Sequence, residues 1–249
     1  MADRYADYDS FAWFYNRYWG DLFAGRFLAA IEQLVLSHLP SPARLLDLCC
    51  GTGQLAKVLA DQGFRVTGVD GSAGMLEFAR ANAPGGEFVL ADARSFTLPG
   101  TFHAVLSTFD SLNHVMMLPE LTEVFRRVHA VLVEGGRFLF DLNMEEGYRA
   151  RWRGWEAIVD DDNVCIVRAG YNAEEKVGWN EITMFRREGG TWRRADLTLR
   201  QRSYTEAEVR STLAEAGFFD IATFDAERDL GLARNVGRMF FLVRKEMRH

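Results

Sequence analysis

Two carboxylates bracket a glycine turn in this chain, and their spacing limits the chemistry they can do. The run Leu45-Leu46-Asp47-Leu48-Cys49-Cys50-Gly51-Thr52-Gly53-Gln54-Leu55-Ala56 reads as a short buried strand, a tight turn and the start of a helix carrying Leu55, Val58 and Leu59. That arrangement turns bare backbone N–H groups toward a ligand. Gly51-Thr52-Gly53-Gln54-Leu55-Ala56 fits the dinucleotide pattern G-x-G-x-x-A, so a nicotinamide or flavin is one reading. Asp47 favours another. It stands at the strand end, four residues before Gly51, where it would repel a pyrophosphate and suit a ligand carrying an ammonium and a sulfonium. Asp70 closes the next expected strand, 17 residues beyond Gly53. A carboxylate there can accept both hydrogen bonds of a ribose diol. Met75, on the helix that follows, is adaptable enough to pack on an adenine face, or equally to fill the core.

With Asp47, Gly51 and Gly53 in place, the chain resembles the class I S-adenosylmethionine-dependent methyltransferases, whose first motif reads D/E-x-G-x-G-x-G. Cys49 stands where that motif has its first glycine. The resemblance implies S-adenosylmethionine as cofactor and an α/β fold with a Rossmann-like seven-stranded sheet in the order 3-2-1-4-5-7-6, the last strand antiparallel. It also implies that Asp92 and Ala93, at the end of the third strand, read the adenine edge. Thr108-Phe109-Asp110-Ser111-Leu112-Asn113-His114 corresponds to the family's fourth motif, where backbone near Phe109 holds the methionine part and side chains face the acceptor. Four strand ends would then converge on one crevice.

Within that family the chain is similar to small-molecule N-methyltransferases, such as glycine N-methyltransferase and the amino-sugar dimethyltransferases. They share an aromatic N-terminal segment, a histidine near the end of the fourth motif and a β insertion at this place. On that resemblance His114 and Tyr15 are the candidate catalytic residues, and Arg26 is the arginine that pairs with the cofactor carboxylate. The sulfonium is already activated, so alignment and exclusion of water carry most of the rate. A base is needed only if the acceptor arrives as an ammonium, and a histidine is suited to take that proton. A loop histidine and a helical arginine also occur simply as hydrogen-bonding and solvated groups.

The elements that must position these residues alternate. The stretch from Tyr5 to Trp19 is dense in aromatics, interleaved with acids from Asp3 on, and Asp21 to His38 reads as one helix ended by Pro40 and Pro42. Strands are expected at Arg65–Asp70, Glu87–Ala91, Phe102–Thr108 and Arg137–Leu142. Ser72 can cap the helix after the second strand, and Pro119 opens another in its first turn, closed by Gly135-Gly136. Alternation then stops. Val164–Tyr171, Val177–Arg187 and Thr191–Ser203 are three β-rich runs joined by Glu174-Glu175 and Gly189-Gly190, the pattern of an antiparallel meander. A capping box at Thr205 and Glu208 restarts a helix, and Phe218–Phe224 and Arg238–Arg244 are the last strands.

The expected organisation is therefore an aromatic cap and helix over 1–40, a cofactor-binding core over 41–149 and 204–249, and an antiparallel insertion over 150–203 serving as an acceptor lid. That insertion holds Trp152, Trp155, Trp179 and Trp192, four of the six tryptophans, which can build an acceptor wall or a small core of its own. Arg149, Arg151 and Arg153 form a basic run, either a solvated edge or a seat for a carboxylate or phosphate. The net charge of −6 argues against a nucleic-acid partner. No apolar run spans a membrane, no leader is visible, and three cysteines without finger-like spacing argue against a metal and for reduced thiols in the cytoplasm. The expected activity is methyl transfer to a nitrogen or oxygen of a small molecule. An NAD(P)-dependent oxidoreductase and a catalytically silent cofactor-binding protein are the alternatives.

Overall fold

The computed structural model describes residues 7–247. Three helical pieces come first, α1 (Asp7–Tyr18), α2 (Gly20–Arg26) and α3 (Leu28–Leu34), with a short 3-10 turn at Leu36–His38. Alternation follows through β1 (Arg44–Leu48), α4 (Gln54–Asp61), β2 (Arg65–Asp70), α5 (Ala73–Asn82), β3 (Glu87–Leu90), β4 (Phe102–Ser107), α6 (Leu118–Val131) and β5 (Leu132–Asn143). Next come α7 (Glu145–Arg151) and four strands, β6 (Gly154–Val159), β7 (Asn163–Asn172), β8 (Val177–Glu188) and β9 (Thr191–Arg202). The chain closes with α8 (Glu206–Glu215), β10 (Asp220–Asp225) and β11 (Arg238–Arg244). Seven strands pair as β10-β11-β5-β4-β1-β2-β3, with β11 antiparallel to both neighbours. Read from the other edge, with β10 and β11 as sixth and seventh, this is the expected order. Strands β6 to β9 form a separate antiparallel sheet.

The parallel strands are buried on both faces, so successive residues feed two cores. Leu46 and Leu48 of β1 join Phe125, Phe140 and Leu213 beneath α6 and α8, while Leu45 joins Ile31, Leu55 and Leu59 on the opposite face. Burying one such side chain contributes about 1.5–3 kcal/mol. Asp47 sits inside this apolar strand because the strand ends there, beside the glycine turn. A third cluster joins the cap to the second sheet: Phe11 and Phe14 of α1 pack with Met75 of α5 and with Cys165, Ile182 and Leu197.

Several expected boundaries shift for identifiable reasons. The single helix from Asp21 to His38 is interrupted at Phe27, whose backbone (φ −106°, ψ 1°) leaves the helix. The Phe27 ring is thereby buried and stacks on Phe109 at 4.6 Å, so core packing overrides local periodicity. The meander has four strands rather than three, because the chain turns at Gly154 (φ +85°) into a further strand, β6. The span expected as insertion begins inside helix α7, whose start is tied to the residue before β11 by the Met144 N–H, which donates to the Gly237 carbonyl at 2.8 Å. Helix α6 ends at Val131 and β5 begins at Leu132, before Gly135-Gly136. Strand β10 starts at Asp220, two residues later than Phe218, whose ring is buried in the core. The caps at Ser72 and at Thr205 with Glu208 form as expected, and Pro119 lies in the first turn of α6. Residues Asp3 and Tyr5 of the aromatic stretch lie outside the described residues. No helix of the described residues is long and apolar enough to cross a membrane.

Helix α4 starts hard against α5. Gly53, at φ +81°, would bring a Cβ within 2.8 Å of the Ala79 Cα. Gly53→Ala is expected to destabilise the protein by more than about 1 kcal/mol, read as a lowered urea midpoint. An unchanged midpoint would mean that α4 and α5 can separate freely.

Candidate functional site

The carboxyl ends of β1, β2, β4 and β5 open into one cavity of about 620 Å³, walled by α1 on one side and by the β7–β9 face on another. At the β1 end the loop keeps a glycine-like backbone without the glycine: Cys49 takes φ +63°. For a side-chain-bearing residue that conformation costs about 1–2 kcal/mol. Asp70 stabilises the turn, accepting the Gly51 N–H through Oδ2 and the Ser72 N–H through Oδ1, each at 2.9 Å. One lone pair on each oxygen is thereby used, and the others remain for a ligand. Asp47 is different. It is buried, its Oδ2 has no hydrogen-bond partner among the described residues, and burial together with the nearby Asp70 pushes its pKa up to about 7. A cation brought to that oxygen would restore the charged form.

Helix α1 is fastened over this end by side chains. Asp9 accepts from the Ser72 hydroxyl at 2.5 Å and the Gly74 N–H at 2.8 Å. Asn16 Oδ1 accepts from Gln54 and Asn82 at 2.9 and 2.7 Å. The helix so held presents Tyr8, Phe11 and Tyr15 to the cavity, with Tyr15 at 3.6 Å from where a Cβ on Gly51 would stand.

At the β4 end the polar groups form a chain. His114 Nδ1 lies 2.9 Å from the Arg200 carbonyl, which can only accept, so Nδ1 carries the proton and Nε2 is the acceptor. Two donors reach Nε2: the Tyr8 hydroxyl at 2.8 Å and the Gln201 amide at 3.0 Å. Gln201 is oriented in turn by Asp110 Oδ2 at 2.7 Å and by the Tyr148 hydroxyl at 2.8 Å. Asp110 also binds Arg238 at 2.6 Å, and Arg238 bonds Asp141 as well. Burial works against the Arg238 charge, but Asp141 and Asp110 more than offset it and raise its pKa. Burial lowers the pKa of His114, against the pull of Asp110, so the ring is neutral near pH 7.

Of the residues singled out from sequence, Asp47, Gly51, Asp70, Met75, Ala93, Phe109, Arg26, Tyr15 and His114 all line this cavity. Gly53 shapes the turn behind it. Asp92 is the exception, since its carboxylate is gripped by the Arg94 guanidinium (Nε to Oδ1 2.9 Å), which reaches on to Glu120, and it does not line the cavity. Sequence reasoning passed over Tyr8, Gln201, Asp110 and the Arg238–Asp141 pair. An acid within the apolar run Phe138-Leu139-Phe140-Asp141-Leu142 is a signal for such a pair, because a buried charge demands a partner. Gln201 carries no comparable signal.

Comparison with known proteins agrees with this architecture. A family model described as a methyltransferase domain matches residues 45–136. A Bacillus subtilis (strain 168) protein named as a methyltransferase is 30% identical over 187 residues, covering 73% of this chain and 76% of that protein. A Streptomyces fradiae dTDP-3-amino-3,6-dideoxy-alpha-D-glucopyranose N,N-dimethyltransferase is 32% identical over 152 residues, 59% of this chain and 58% of its own. Among solved structures, an S-adenosylmethionine-dependent methyltransferase from Clostridium acetobutylicum superposes with a TM-score of 0.76 at 23% identity, covering 96% of this chain and 99% of that one.

The lone carboxylate makes a pH prediction. Unfolded, Asp47 titrates near its ordinary value of 3.8; folded, it titrates near 7. Between those values the native protein holds a proton that the unfolded chain has lost, so stability falls as pH rises, by at most about 1.4 kcal/mol per pH unit. Asp47→Asn should remove this slope, so the variant gains on the wild type from about pH 4 to about pH 7. Parallel urea-denaturation curves for the two proteins across that range would refute the assignment.

Proposed function

The chain belongs to the S-adenosylmethionine-dependent methyltransferases, and from that premise we propose that it methylates a nitrogen or oxygen atom of a small molecule seated between Tyr15, His114 and the β7–β9 face. The nicotinamide alternative falls with that membership. One observation carries the proposal: the Asp47–Asp70 turn and the His114 cluster open into the same partly enclosed cavity, lined by aromatic side chains. Enclosure of this size suits a small acceptor from which water must be excluded. The curated dimethyltransferase relative, by its name, acts on an amino sugar nucleotide, which is an acceptor of the proposed kind.

The residues present fit the cofactor. Asp47 Oδ2, buried and unpartnered, suits its ammonium; Asp70 retains lone pairs for the ribose; Met75 and Ala93 line the space for the adenine. Arg26, which also lines the cavity, suits the carboxylate. When bound, S-adenosylmethionine supplies a methyl group on a sulfonium, already activated for in-line displacement. The protein's part is to orient the acceptor, keep the space dry and receive a proton. For an amine arriving as an ammonium, the proton passes to the Tyr8 oxygen as the Tyr8 proton moves to His114 Nε2, 2.8 Å away. Gln201 and the Arg200 carbonyl hold the ring in the tautomer that can accept it. Tyr15, next to Gly51, packs the cofactor side of the acceptor space.

Four measurements test this. Asp70→Ala should weaken S-adenosylmethionine and S-adenosylhomocysteine binding by about 1.5–3 kcal/mol, as expected for hydrogen bonds to a charged acceptor; unchanged affinity by calorimetry would sink the ribose role. Amines, amino sugars, small acids and phenols should be screened with labelled cofactor. No turnover with any class, by a protein that binds the cofactor, would turn the reading to a silent binding protein. With the acceptor in hand, His114→Gln should lower kcat by about 10²–10⁴ with cofactor affinity unchanged. Wild-type kcat should fall on acidification through a pKa below the usual histidine range, because burial lowers that of His114, and the variant should lose this limb.

A further inference from the structure

The basic run after β5 divides in the structure. Arg149 is exposed and paired with Glu145 at 2.6 Å, and it does not line the cavity. Arg151, Trp152 and Arg153 all line it. Arg151 ends α7 and is fixed from behind, its Nε donating to the Val236 carbonyl at 3.2 Å and its Nη2 to Asn143 Oδ1. Both partners are neutral, so the guanidinium is oriented without being neutralised. Two of its five donors are used, and Nη1 is not among them. Arg153, two residues on, is exposed at the mouth. Among the described residues neither arginine is in an ion pair.

The neighbouring charges do not relieve this. Asp110 and Asp141, the acids of that wall, are both bonded to Arg238. Burial lowers the pKa of Arg151, and Arg238 and Arg26 add to the effect, against Asp110 and Tyr148. Glu156 also borders the cavity, from an exposed position on β6, without pairing with either arginine. A half-buried cation that other cations crowd, aimed by neutral groups into a cavity, is a ready partner for an incoming anion. A planar guanidinium matches a carboxylate or a phosphate through paired N–H donors.

We infer that Arg151 and Arg153 form an anion seat at the acceptor end of the cavity, so that the methyl acceptor carries a carboxylate or phosphate besides its reacting amine or hydroxyl. The seat presupposes the small-acceptor reading and names the class of acceptor. Trp152, between the two arginines and packed over Gly178, provides the apolar surface beside the anion.

The test uses the full chain saturated with S-adenosylhomocysteine, titrated by calorimetry and ligand-observed NMR with inorganic phosphate, acetate and, as a neutral control, acetamide. Phosphate or acetate should bind and acetamide should not; which anion binds more tightly identifies the group. Arg151→Met and Arg153→Met should each weaken anion binding at least about tenfold, the loss expected for hydrogen bonds to a charged group, while Arg149→Met leaves it unchanged. Among the described residues Arg153 bonds nothing through its side chain, so its variant remains informative if Arg151→Met loosens the fold. Failure of both anions to bind, equal binding in both variants, or an equal loss in Arg149→Met would overturn the seat. A protein that does not bind S-adenosylhomocysteine at all would overturn the cofactor assignments instead.

Discussion

The site depends on one buried cluster of charge, Arg238 between Asp141 and Asp110. Arg238 begins β11 and Asp141 lies on β5, antiparallel neighbours in the sheet, and both are buried. Two carboxylates and a guanidinium taken out of water carry a large desolvation cost, and removing one partner from such a group costs about 3–5 kcal/mol. What that cost secures is the turn after β4. Asp141 Oδ1 accepts the Phe109 N–H at 2.7 Å and its Oδ2 the Asp110 N–H at 3.1 Å. Both residues take positive φ, 64° and 51°, which side-chain-bearing residues avoid. The hydrogen bonds to Asp141 offset that strain, and the left-handed turn then aims Asp110 at Gln201 and so at His114.

The cavity is electrostatically divided as a result. At the β1–β2 end the described acids outnumber their partners, and burial together with the nearby Asp70 raises the pKa of Asp47 to about 7. Toward α7, arginines outnumber theirs. In a low-dielectric space neither imbalance is screened as it would be at the surface. A cofactor with ammonium and sulfonium groups fits the first end, and an acceptor bearing an anion would fit the second. His114, neutral near pH 7, lines the same cavity and is in position to accept a proton there.

Much of the β1–β2 end of the cavity could be read from the sequence, because its determinants are local. A strand end, a glycine turn and a helix N-terminus are contiguous residues, and Asp47, Gly51, Gly53 and Asp70 fall where their spacing puts them. Asp92 shows the limit of reading by position: its place at the β3 end is as expected, yet a neighbour two residues away, Arg94, takes its carboxylate. Phe27 shows another limit. Helical periodicity runs through it, and only the stacking of its ring on Phe109, far along the chain, explains the break. Tyr8 and Tyr15 lie in one aromatic stretch, and nothing in the stretch says that Tyr8 is the one to meet His114. Their separation in role arises from how α1 is pinned by Asp9 and Asn16.

The end lined by the second sheet was less legible because it is written in register rather than in residue type. Val167 and Ala169 of β7, Asn180 and Ile182 of β8, and Leu199 and Gln201 of β9 share one face of the second sheet. They do so because Ala169 pairs with Asn180, Val167 with Ile182, and Asn180 with Leu199. Side chains alternate with period two, so a slip of one residue in any of these pairings would send a whole row to solvent. The turns fix the register: Gly189 and Gly190, both at positive φ, close the hairpin between β8 and β9. Gln201 reaches His114 only if the count from that hairpin is right, eleven residues beyond Gly190. The hydrogen bond that orients the proposed base is thus set by a turn at the far end of the hairpin, which is why a motif scan of the catalytic loop alone would miss it.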